Sequence, residues 1–66
     1  MSARTEFDAN MAALNFIDRD MVPEITDYDW PRFRDNPGAF WRSATFVERN
    51  AIWRAICKVR RLEPVT

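Results

Sequence analysis

Thr45-Phe46-Val47-Glu48-Arg49-Asn50-Ala51-Ile52-Trp53-Arg54-Ala55-Ile56-Cys57-Lys58-Val59-Arg60-Arg61-Leu62 is the stretch that decides the fold. It opens on a capping box, a threonine with glutamate three residues on, and continues with residues that all tolerate a helix. The pattern predicts a long helix over 46–62, either beginning there or bending there after a start at 37. At about 100° per residue, Phe40, Ala44, Val47, Ala51, Ala55 and Leu62 share one stripe, widened by Ile52, Ile56 and Val59. Phe46, Trp53 and Cys57 fall on a second face, with Arg42, Arg49 and Arg60 between the two. Lys58, Arg60 and Arg61 suit the negative end of the helix dipole.

Working outward, Asn36-Pro37 is a second start signal, Asn as cap and Pro in the first turn, and predicts a short helix over 37–43. Asp29-Trp30-Pro31 repeats the device and predicts a helical turn near 30–35. Between 20 and 29, Pro23 and scattered acids read as a connecting loop. Further upstream, Thr5-Glu6-Phe7-Asp8 has the form of a helix start. Phe7, Met11, Leu14 and Ile17 then recur at helical spacing, which predicts an amphipathic helix over about 6–19. The expected fold is all-α, a small bundle of two to four helices forming one domain over 1–66.

A chain of 66 residues buries only about 60% of the surface its unfolded form exposes. The usual staples of small domains are missing. Cys57 is the single cysteine and there is no histidine, so neither an internal disulfide nor a Cys/His zinc site is available. Two apolar stripes on the dominant helix need two coverings. One is the first helix. The other is either a second copy of the chain in a C2 homodimer, the expected solution, or residues 22–36 folded back with Tyr28, Trp30 and Phe33.

The absence of histidine also removes the commonest general base. Cys57 lies among apolar residues, as a packed thiol does. The acids at 18, 20, 24, 27 and 29 lack the glycine and terminal glutamate of an EF-hand loop. Gly38 is the only glycine, so there is no glycine-rich phosphate loop. No enzymatic activity, cofactor or metal is expected. With no long apolar run and no basic leader, neither a membrane span nor a signal peptide is read, and a cytoplasmic location is expected.

Charge and aromatic content leave two functional readings. Residues 1–33 hold seven acids against three arginines, and residues 34–66 hold seven bases against three acids, for a net charge of zero. Nine of the ten basic residues are arginine, and tryptophan occurs at 30, 41 and 53. Arg and Trp are enriched at binding hot spots. The leading expectation is a small regulator or adaptor of the bacterial or phage type, binding a partner protein by occlusion or bridging. Its contact residues would be Trp41, Arg42, Phe46, Arg49, Trp53 and Cys57. The alternative is a helix-turn-helix, with a short helix over 37–43, a break at Ser43-Ala44 and a longer basic helix from 46, that binds nucleic acid through Arg49, Asn50, Arg54, Lys58 and Arg61. A turn without glycine, Glu48 near the groove, and apolar residues on more than one face weigh against it.

Overall fold

The computed structural model of the chain describes residues 3–61, with side chains from Thr5 onward. Four α-helices run in order: α1 (Ala3–Ala13), α2 (Trp30–Asp35), α3 (Pro37–Ser43) and α4 (Phe46–Arg60). Short 3-10 turns at Leu14–Phe16 and Arg19–Met21 lead from α1 into the loop. The fold is all-α, with no strand among the described residues.

Local chemistry accounts for the helix starts. At α4 the Thr45 hydroxyl accepts from the Glu48 amide at 3.2 Å and Glu48 accepts from the Thr45 amide at 2.8 Å. Each group satisfies an amide that the first helical turn leaves without a partner. Asn36 accepts from the Ala39 amide at 3.2 Å with Pro37 opening α3. Ala44 and Thr45 are extended, so α3 and α4 are separate helices. At α2, Asp29 precedes the helix but its carboxylate makes no cap; it pairs instead with Arg32 at 2.9 Å.

Three predicted helix ends are corrected. The first helix was expected over about 6–19, yet Thr5 and Glu6 already lie inside α1 and the α-helix stops at Ala13. Ala3 and Arg4 are good helix formers and carry the helix ahead of the expected cap. After Ala13 the chain tightens into a 3-10 turn and Ile17 is extended. That change of pitch brings both Leu14 and Ile17 into the core. The last helix was expected to reach 62, but it ends at Arg60, and Arg61 adopts the left-handed conformation at φ 58°. Its amide donates back to the Lys58 carbonyl at 3.3 Å, closing the final turn. Leu62 lies outside the described residues.

A single apolar cluster joins all the elements. Leu14 and Ile17 meet Phe33, Phe40, Ile52 and Ile56, and the loop adds Val22 and Ile25, both fully buried. Phe33 is stacked on Trp30 at 5.4 Å and meets Phe40 edge-on at 5.6 Å. Arg19 holds the loop in place, donating to the Val22 carbonyl and pairing with Asp27, each at 2.9 Å. Arg54 ties the same loop to α4 through Glu24 at 2.8 Å. Residues 22–36 therefore do fold inward. Phe33 enters the core, Trp30 is partly covered, and Tyr28 stays in water.

Candidate functional site

The second stripe of α4 is covered at one end and open at the other. Near its C-terminal end, Arg60 donates to Glu6 at 3.2 Å and also to Asn10, which brings α1 against this face. Cys57, on the same stripe, is 1% exposed. It sits inside the monomer and contributes no surface to an interface. One turn earlier Trp53 is 37% exposed, and at the helix start Phe46 is 79% exposed. Val47, from the first stripe, is exposed beside Phe46.

Between these helices lies an apolar groove of about 140 Å³. Leu14 and Ile56, both buried, form its floor; Phe7, Met11, Trp41 and Trp53 form its sides, with Asn10 the one polar contributor. Met11 and Leu14 also line a second depression, which continues between α1 and α3 past Asn15, Pro37, Gly38 and Arg42. The two form one furrow. Its depth depends on Gly38, because a Cβ there would stand 3.0 Å from the Met11 methyl. Phe7, more than half exposed, is the side chain that sequence reading assigned to the core. Its stripe, Phe7-Met11-Leu14-Ile17, does point inward, but the tightened turn draws only its C-terminal half under cover. No signal in the sequence marks that division.

The arginines singled out from the sequence are placed very differently from one another. Arg49 turns back to the end of α3: its Nε donates to the Trp41 carbonyl at 3.1 Å and its Nη2 to the Arg42 carbonyl at 2.9 Å. Its guanidinium also lies 5.4 Å above the Trp41 ring. Trp30 is approached by two cations, Arg19 at 5.6 Å and Arg34 at 5.8 Å. Arg–Trp chemistry is thus used within the fold at Trp30 and Trp41. Trp53 is the tryptophan with no stacked cation among the described residues.

Arg54 is bound to Glu24, whose carboxyl is held below its usual range first by its own backbone amide and then by Arg54. Lys58, Arg61 and Asn50 are exposed. Val47, Arg54 and Lys58 lie within about 40° of one another around α4, while Arg49 lies about 160° away. Of the residues of the nucleic-acid alternative, Asn50, Arg54 and Lys58 share one side of α4, within about 80° of arc, and Arg49 stands apart from them. The Arg42 guanidinium has no ion-pair partner among the described residues and stands at the far end of the furrow.

No helix among the described residues is long and apolar enough to cross a membrane. No protein-family model, curated protein or solved structure matches the chain.

Proposed function

We propose that this chain is a non-enzymatic binding module of the cytoplasm that docks a protein surface through the furrow between α1, α3 and α4. The observation that carries the reading is the grouping of Phe7, Met11, Trp41 and Trp53 around one apolar groove. Phe46 lies two turns before Trp53 on the same face of α4. Aromatic side chains supply large contact area at low entropic cost, and partly open grooves of this kind accept an apolar anchor. Trp41, Trp53 and Phe46 are contact residues in this reading, Arg42 is a rim charge, and Arg49 positions Trp41. Cys57 supports the site from beneath.

The test is affinity capture from a lysate of the source organism at about 0.15 M ionic strength, where exposed charges are screened beyond about 8 Å. Parent and Phe7→Glu proteins are compared after nuclease treatment. A discrete protein retained by the parent and lost by the variant is the expected result. Equal recovery on both removes the furrow as the docking site.

The exposed Arg54, Lys58 and Arg61 favour nucleic-acid binding as a second reading. Its signature is recovery that disappears with nuclease and an affinity that falls steeply with salt. The engagement of Arg49 with α3 and of Arg54 with Glu24 leaves fewer free cations for it.

A further inference from the structure

The furrow is lined by a single charged residue, Arg42, and by no carboxylate. Arg42 stands on the α3 wall of the depression between α1 and α3, and Asn15 lines the same depression from the turn that follows α1. Both side chains are exposed, and neither makes a hydrogen bond or ion pair among the described residues. Every arginine of α2 and α4 is held by a carboxylate, a carbonyl or an aromatic ring, whereas Arg42 is held by none. The depression shares Met11 and Leu14 with the apolar groove beside Phe7 and Trp53. A ligand that fills both must present an apolar group to the groove and a hydrogen-bond acceptor to Arg42 and Asn15. The acceptor that a guanidinium and an amide N–H hold best is an anion.

We propose that the occupant of the furrow is an acidic peptide segment of a partner protein, with a large apolar side chain in the groove and an aspartate or glutamate carboxylate on Arg42 and Asn15. The proposal rests on the docking reading above and names the chemistry of its partner. Segments that bind grooves are read through a few apolar anchors held in register. A charge beside the anchors decides which segments are accepted, and the planar fork of arginine suits a carboxylate. A nucleic acid fits this surface less well. Its phosphates call for several cations in a row, and the lining of the furrow carries one.

The experiment selects short random peptides, displayed on phage, against the immobilised parent. The selected sequences are synthesised with a fluorophore, each beside a counterpart carrying lysine in place of its acid. Anisotropy at about 0.15 M ionic strength reads their affinity for parent, Phe7→Glu and Arg42→Glu. Both substitutions are at exposed positions, and circular dichroism checks that the helices are intact. The selection is expected to return peptides with one large apolar residue and one acid at a constant spacing. Phe7→Glu should lose them. Arg42→Glu should bind them about tenfold more weakly than the parent and should prefer the lysine counterparts. Peptides without a shared acid overturn the proposal, as do acidic peptides that Arg42→Glu binds as tightly as the parent. An empty selection overturns it too, whether the furrow is then closed by a second copy, read as a dimer in sedimentation, or by a labelled oligonucleotide. The docking reading has a separate outcome. Binding of a peptide or a captured protein that is lost in Phe7→Glu sustains it whatever the charge of the ligand, and binding that survives Phe7→Glu removes both.

Discussion

Arg49 closes the end of α3 against the start of α4, its guanidinium 5.4 Å above the Trp41 ring and its two donors on the Trp41 and Arg42 carbonyls. The last carbonyls of a helix lack partners within it; the Trp41 carbonyl takes the Ala44 amide at 3.4 Å, and the planar fork of Arg49 reaches it and the Arg42 carbonyl at once. Such bonds are worth about 1.5–3 kcal/mol when one partner is charged, and less where water competes. Arg49→Ala is therefore expected to destabilise the fold by about 1 kcal/mol, a fall of about 4–8 °C in Tm for a domain of this size. Arg49→Lys should recover little of it, because an ammonium cannot span both carbonyls. Thermal unfolding of the three proteins checks this. A lysine variant equal to the parent would show that charge alone, rather than the fork, matters.

Phe33 is more deeply buried than either aromatic on α4. It is fully buried, between Trp30 stacked at 5.4 Å and Phe40 edge-on at 5.6 Å. Removing such a ring costs about 3–5 kcal/mol, about as much as the core of a domain this small supplies. Phe33→Ala should therefore lack a cooperative thermal transition and near-ultraviolet dichroism. Phe46→Ala, at an exposed position, should keep both. The contrast is measured by calorimetry on the two variants, and a cooperative Phe33→Ala would place the energetic centre elsewhere.

These two aromatics show what was legible before the structure. Helix starts depend on residues within three positions of each other, so Asn36-Pro37 and Thr45 with Glu48 announced α3 and α4. The inward turn of Val22 and Ile25 was not legible, because they flank Pro23 in a segment without periodicity. Their burial depends on Arg19 and Arg54 reaching across to the loop. The two stripes of α4 could be drawn on a helical wheel, but not which half α1 would cover. Cys57 and Phe46 share a face, yet one is sealed and the other open. Arg49 looked like a contact residue because its role requires knowing that the end of α3 lies beside it.

Acid sensitivity should be traceable to Glu24. Its carboxyl is held below the ordinary 4.5, first by its own backbone amide and then by Arg54. A carboxyl depressed by folding stabilises the native state above its unfolded value, and that stabilisation disappears as pH falls through the folded value. The parent should thus exceed Glu24→Gln in urea midpoint near neutral pH, and the difference should shrink below about pH 4.5. Arg54→Ala should remove only part of the effect, because the backbone amide remains. The carboxylate is partly exposed, so the difference is a fraction of a typical surface pair, under about 1 kcal/mol. A difference that grows on acidification would contradict the assignment.

Gly38 offers a test of how firmly the furrow is packed. It occupies the second position of α3 without a positive φ, so an alanine meets no backbone strain. A Cβ would come within 3.0 Å of the Met11 methyl, which must move by a few tenths of an ångström. That methyl ends a flexible side chain in a groove open to water, and it has room to swing. Replacing glycine by alanine at a compatible site gains about 0.4–1 kcal/mol, mainly by restricting the unfolded chain. Gly38→Ala should therefore be neutral to slightly stabilising, with a shifted Met11 methyl resonance as the sign of the displaced side chain. Because Met11 also lines the apolar groove, the same variant should alter docking there without harming the fold. Destabilisation beyond about 1 kcal/mol would mean that Met11 is held rigidly, and that the furrow is packed rather than adaptable.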